Sequence, residues 1–146
     1  MRDHITIERV AKLHPAVRAE VTSLIDKVEA NMMPGKMIRV VQGLRTIEEQ
    51  DALYAKGRTT PGPKVTNAKG GSSYHNYGLA IDYAVISGGQ VDWNPYQPMI
   101  DAFKAAGWEW GGDFKSIVDK PHFQKTFGKT VKQLKALYVA GGYPPV

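Results

Sequence analysis

The sequence predicts an α+β domain with a small, mainly antiparallel sheet and about four helices. Three observations lead there. Helical and strand-like segments alternate irregularly along the chain. Some of them are joined by short turns. No repeat, low-complexity tract or linker divides the 146 residues, so one domain over 1–146 with a single core is expected.

The elements follow in order. Pro15 suits a first helical turn, and Val17, Val21, Leu24, Ile25 and Val28 recur at helical spacing. That helix ends within Asn31 to Gly35, where Pro34 forbids continuation. MIRVVQGLR, 37–45, is rich in β-branched residues and reads as a strand. Thr46 and Glu49 form a capping box for a second helix, closed by Gly57. RTTPGPKVTNAKGGSS, 58–73, is the longest irregular stretch, and a loop of that length in a small domain is expected to be functional or mobile. LAIDYAV, 79–85, is a strand, followed by a turn at Gly88 and Gly89 with VDW as hairpin partner. A third helix is expected from Gln97 to Ala106, stopping at Gly107. WEWGGDF leads to a strand around His122. A last helix, about 130–140, presents Val131, Leu134, Leu137 and Tyr138 on one face and ends at Gly141, before an irregular tail.

Composition narrows the chemistry. There is no cysteine, so disulfides and thiolate metal sites are excluded, and any metal must be held by His, Asp or Glu. No run approaches the ~20 apolar residues that cross a bilayer. The formal charge of +5 fits nucleic acid or an anionic envelope equally, but the basic residues are scattered and form no nucleic-acid motif. No specific nucleic-acid partner is expected.

Two clusters carry the chemistry. In the strand LAIDYAV, Ala80, Asp82 and Ala84 share one face, while Leu79, Ile81, Tyr83 and Val85 share the other. An acid inside a short apolar strand is costly unless it is paired or binds a cation. His75 lies seven residues earlier. In DKPHFQ, 119–124, His122 and Gln124 share a face opposite Phe123, and Asp119 precedes His122 by three residues. Two histidines and a carboxylate are a common set for catalytic zinc with a fourth position for water, and Asp119 could take the proton of that water. Each residue alone has an ordinary explanation. A buried histidine can be a hydrogen-bonded core residue, Asp82 a carboxylate satisfied by backbone donors, and Asp119 a turn residue before proline. His4 and His14 read as surface or helix-entry residues.

The combined pattern is more specific. SYHNYGLAID, 73–82, fits S-x-H-x-x-G-x-A-x-D, and DKPH fits a downstream [DE]-x-x-H. Together they resemble the zinc D-Ala-D-Ala carboxypeptidase and L-alanyl-D-glutamate endopeptidase family (VanX/VanY-like), closest to the phage L-alanyl-D-glutamate peptidase endolysins. VVQGLRT, EEQDALYAKGRT and VDWNPYQPMIDAFKAAGWEWGGDF extend the likeness over roughly 37–124. The resemblance implies zinc ligands His75, Asp82 and His122, a general base at Asp119 and a substrate-side Arg45 facing the scissile carbonyl or its oxyanion. It places Ser73 near the substrate, although a loop-capping serine would look identical. For Arg45 the plain alternative is a salt bridge at a strand end. Gly78 is expected to permit the close approach of the loop histidine to the strand carboxylate.

The expected function is that of a phage endolysin cutting the L-Ala–D-Glu bond of peptidoglycan stem peptides during host lysis. Asp at position 119 favours the endolysin branch. MRDHITIERVAKLHP has no apolar signal region, so the chain is expected to be made in a host cytoplasm and to reach the wall once a holin opens the membrane. A monomer is expected. D-alanyl-D-alanine carboxypeptidase or dipeptidase activity on the same scaffold, or a non-hydrolytic zinc-bearing module of the hedgehog type, are the alternatives. The presence of Asp119 and Arg45 weighs against the last.

Overall fold

A computed structural model describes residues 1–140 and 142–146 of the chain. Its sheet is organised around one long strand, β2 (Ala80–Ser87); Ile81, Tyr83 and Val85 of this strand, with Leu79 just before it, enter the core as the alternation predicts. Strand β1 (Lys36–Gln42) pairs antiparallel with it, from Lys36 opposite Ser87 to Gln42 opposite Asp82, with an irregularity between Val40 and Gln42. The hairpin strand β3 (Gln90–Asp92) pairs with the far end of β2 across the Gly88–Gly89 turn. Strand β4 (Glu109–Trp110) pairs with β5 (His122–Gln124), which pairs with the near end of β2. The order is β1-β2-β5-β4 and every pairing is antiparallel.

Five α-helices surround this sheet: α1 (His4–Val10), α2 (Pro15–Glu29), α3 (Ile47–Ala55), α4 (Gln97–Ala105) and α5 (Val131–Leu137). Helix α2 buries Val17, Val21, Ile25 and Val28, the row its spacing predicts. Helix α4 adds Met99, Ile100 and Phe103. Phe103 stacks on Phe123 of β5 with centroids 4.8 Å apart, and Phe123 stacks on Tyr83 at 5.5 Å. Each such ring, once buried, contributes about 2–3 kcal/mol from removed apolar surface. The rigid core therefore reaches directly beneath the strand that carries His122. Among the described residues, no helix is long and apolar enough to cross a membrane.

Some boundaries differ from expectation. Helix α1 was not anticipated: its Ile5 and Ile7 face outward, and it docks through the buried Thr6 and, one turn on, the core residue Val10. Thr6 Oγ1 accepts from Val40 N at 2.9 Å, and Arg9 Nη1 donates to the Val40 and Val41 carbonyls at 2.8 and 3.1 Å. Side chains thus satisfy the outer backbone groups of edge strand β1, which would otherwise lie open to further pairing. That strand ends at Gln42, not at 45, which leaves Gly43 to Thr46 as a loop running past the site. Helix α5 ends at Leu137 and is shorter than expected; the Gly141 stop assigned to it lies outside the described residues.

Candidate active site

Antiparallel register sets the geometry. Asp82 stands opposite His122 across the β2–β5 pair, and both side chains leave the face that turns away from Ile81 and Phe123. Asp82 Oδ1 lies 2.9 Å from His122 Nδ1. The third member comes from a 3-10 turn, Tyr74–Tyr77, which enters β2. Its His75 Nε2 lies 3.3 Å from the same Asp82 oxygen. Potential ligand atoms of His75, Asp82 and His122 all lie within 4.8 Å of one another, with both rings buried and the carboxylate partly so.

The turn is shaped by its sequence. Ser73 Oγ accepts from His75 N at 3.2 Å, and Asn76 Oδ1 accepts from Ser73 N at 3.2 Å, closing a capping box. Gly78 ends the turn at φ 68°, a left-handed conformation that glycine adopts without strain. The expected role for Gly78 needs correction. A Cβ there would lie 2.4 Å from His14 N, so the close approach it permits is to the start of α2, not between His75 and Asp82. His14 itself caps α2, accepting from Ala16 N at 3.0 Å, and is buried.

The outer nitrogens of both rings are occupied. His75 Nδ1 lies 2.8 Å from the Gly43 carbonyl, an acceptor that demands an N–H there and leaves Nε2 as a lone pair. His122 Nε2 lies 2.9 Å from Gln124 Oε1, which likewise leaves Nδ1 as a lone pair. With both rings neutral, two nitrogen lone pairs converge on a carboxylate oxygen, an arrangement that calls for a proton or a metal cation between them. Burial works against the charge on Asp82, but when the facing nitrogens of His122 and His75 carry protons their hydrogen bonds outweigh it and hold the carboxyl far below the usual range. Burial also works against a charged His122, yet Asp82 raises it. Both shifts express one demand, positive charge at this point, which a divalent metal fits.

Asp119 sits at the rim, half-exposed, with Oδ2 3.9 Å from His122 Nδ1. Burial and the neighbouring Asp82 raise its pKa, which strengthens it as a proton acceptor. Its backbone is fixed by Gly111, whose carbonyl accepts from Asp119 N at 2.9 Å. A Cβ at Gly111 would lie 2.0 Å from Asp119 O, so no larger residue fits.

Arg45 lies in the loop between β1 and α3 and is not held by a strand-end salt bridge. Its Nη1 donates to Gln50 Oε1 at 3.0 Å, while its Nε is buried with no partner. Such an unpaired buried donor costs free energy until something accepts from it. Arg45, Leu53, Val65, Thr66, Ser73, His75, Asp82, Asp119 and His122 together line a cleft of about 390 Å³. A larger hollow of about 680 Å³ between α1 and α2 contains no histidine and one carboxylate, Asp26, and offers no comparable chemistry.

Sequence reasoning missed the supporting residues. Gln50 is fully buried on α3; it receives Arg45 and donates to Ala68 O at 2.8 Å. Asn76 donates to Arg45 O at 2.9 Å and accepts from Gly71 N at 3.0 Å. A buried glutamine inside a charged helix segment, EEQD, was the one available signal.

Comparison with known proteins places these features in context. A family model described as D-alanyl-D-alanine carboxypeptidase matches residues 66–125, the stretch that contains all three ligand candidates and Asp119. The chain is 39% identical over 124 residues to the peptidoglycan L-alanyl-D-glutamate endopeptidase CwlK of Bacillus subtilis (strain 168), covering 77% of this chain and 72% of that protein. It is 31% identical over 137 residues to the L-alanyl-D-glutamate peptidase of Listeria phage A118, covering 85% of this chain and 44% of the phage protein. Among solved structures, the Serratia marcescens L-Ala D-Glu endopeptidase ChiX matches with a TM-score of 0.58 at 25% identity, over 85% of this chain and 88% of that one.

Proposed function

We propose, for a chain that belongs to the D-alanyl-D-alanine carboxypeptidase family of metallopeptidases, hydrolysis of the L-Ala–D-Glu bond in peptidoglycan stem peptides with a zinc ion held by His75, Asp82 and His122. One observation carries the metal assignment: two imidazole lone pairs and a carboxylate oxygen converge, with the outer nitrogen of each ring tied to an acceptor. Two histidines and one carboxylate, with a further position open, match catalytic zinc. The bond assignment rests on the relatives. The family model covers only the ligand-bearing residues 66–125, whereas the endopeptidases align over most of this chain.

Zinc held there supplies Lewis acidity, polarising a peptide carbonyl and acidifying water toward neutral pH. The chain's own groups do the rest. Gly43 O and Gln124 Oε1 accept the outer N–H groups of His75 and His122, which orients His75 Nε2 and His122 Nδ1 toward Asp82. Asp119 accepts the proton of the attacking water and returns it to the leaving amine. Arg45, which lines the cleft and is oriented by Nη1 on Gln50, donates to the oxyanion that forms on the scissile carbonyl. Ser73 lines the cleft, but its Oγ is already engaged as a cap, so it shapes the turn beneath the substrate.

The proposed setting is a phage lysis enzyme that acts on the host wall as a monomer after release through a holin. The chain covers less than half of the phage relative, which leaves room in that protein for segments this chain does not match. Metal analysis of the purified protein tests the zinc assignment. One zinc per chain is expected, with hydrolysis of stem peptides lost on chelation and restored by added zinc. Protein free of any stoichiometric transition metal that still cleaves at full rate would overturn it.

A further inference from the structure

The positive charge is not spread evenly. Residues 52–81 and 114–146 contain ten lysines and arginines and a single acidic side chain, Asp119. The remaining residues contain nine basic and thirteen acidic side chains. The net charge of +5 therefore arises from two segments, while the rest of the chain is net negative.

The fold brings these two segments together beside the cleft. Tyr74 Oη donates to Lys129 O at 2.6 Å, which ties the start of α5 to the turn that carries His75. Gly71, four residues before His75, lies so close to α5 that a Cβ there would sit 3.0 Å from the Lys135 side chain. Lys69 precedes that contact by two residues, Lys64 adjoins the cleft residue Val65, and Lys120 follows Asp119. Lys64, Lys69, Lys120, Lys132 and Lys135 are all exposed. The lysine ion pairs among the described residues are Lys104–Asp113 and Lys125–Glu20, and neither involves these five. Asp51, at the foot of this surface, is engaged by the Gly70 N–H at 2.9 Å.

We infer that this lysine face is a second binding surface, which holds an anionic polymer of the cell wall alongside the cleft. Exposed unpaired ammonium groups at scattered spacing suit a flexible polyanion better than a small ligand, because no concave cage of donors is built around any one of them. Within a Debye length of about 10 Å at 0.1 M salt, such charges act jointly on repeated phosphates or carboxylates. Within segments 52–81 and 114–146 the one acidic side chain is Asp119, which belongs to the cleft. The identity of the polymer rests on the wall-directed reading above; the existence of the surface does not.

The test uses Lys69→Gln/Lys132→Gln/Lys135→Gln in the whole chain, none of these residues belonging to the catalytic set. Binding to purified sacculi is measured by pelleting across a salt series, with chelator present so that the wall is not digested. Two sacculus preparations are used, intact and stripped of phosphodiester polymers by hydrofluoric acid, with duplex DNA as competitor. Parental binding is expected to weaken steeply with salt, and the triple variant to bind about tenfold or more weakly at low salt, with a shallower salt slope. Loss of binding on stripping would identify phosphates as the source, and retained salt-sensitive binding would identify the wall's carboxylates. Equal binding by parent and variant, salt-independent binding, or DNA displacing sacculi at equimolar charge would overturn the inference. Hydrolysis of a short soluble stem peptide is read in parallel. It should be unchanged in the variant, and a parent that fails to cleave it would count against the proposed peptidase specificity alone.

Discussion

Arg45 and the two site aspartates carry the most exposed commitments at the scale of single residues. Arg45→Ala should lower kcat by roughly 10²-fold, the loss expected for one oxyanion donor. Arg45→Lys should recover only part, because an ammonium cannot reach Gln50 and the substrate with a planar fork. A parental rate for the alanine variant in a stem-peptide assay would remove Arg45 from the mechanism. The aspartates should separate. Asp119→Asn keeps all three ligands and should retain metal while losing cleavage. Asp82→Asn removes the charge on which both histidines converge, and should weaken metal binding itself. Metal content and turnover measured on both variants decide this, and equal metal loss would contradict the division of roles. These residues were legible in the sequence because the pattern names the side chains themselves. Their supports were not. Gly43 acts through a carbonyl, and Gln50 and Asn76 through buried amides, so no side-chain pattern announces them.

Individual elements make their own predictions. The long loop, expected to be functional or mobile, is tied at its two ends. Gln50 holds Ala68 O at 2.8 Å and Asp51 holds Gly70 N at 2.9 Å, while Arg58 packs over Tyr54 and donates to Thr66 O at 3.1 Å. Residues 61–65 are exposed. Hydrogen exchange should therefore be fast at Gly62, Lys64 and Val65 and slower at Gly70 and Gly71; uniform protection equal to that of β2 would contradict this. The unanticipated α1 is tied to β1 through Asp3, which is buried and accepts from Arg39 at 2.9 and 3.0 Å. The Arg39 hydrogen bond outweighs burial and holds the Asp3 carboxyl down at about 2, against an ordinary 3.8. A depressed carboxyl contributes stability above its unfolded pKa and loses it as pH falls through the folded one. The pair should thus contribute about 2 kcal/mol at neutral pH, lost between about pH 4 and pH 2. Acid unfolding followed by circular dichroism should show this slope in the parent and a shallower one in Asp3→Asn. Identical curves would mean that the pair does not couple to folding. The apolar signal in MRDHITIERV was too weak to announce this helix, because its inward face is the polar Thr6 and a single core residue, Val10, while Ile5 and Ile7 point outward.

At the scale of the molecule, the α+β class and the antiparallel sheet followed from the order of elements, and the core rows of α2 and β2 from their periodicity. Strand order did not. Placing His122 beside Asp82 requires β5 to add next to the near end of β2, a pairing over forty residues that local pattern cannot specify. That pairing is the foundation of the proposed function, since it converts two distant motifs into one site. The central claim is the bond cleaved, and mass spectrometry of a sacculus digested by the purified protein reads it directly. Free stem peptides that begin at D-Glu, with L-Ala left on the glycan, are the predicted products. Release of D-Ala or the D-Ala-D-Ala dipeptide from otherwise intact stems would contradict it and move the chain to the carboxypeptidase branch of its family.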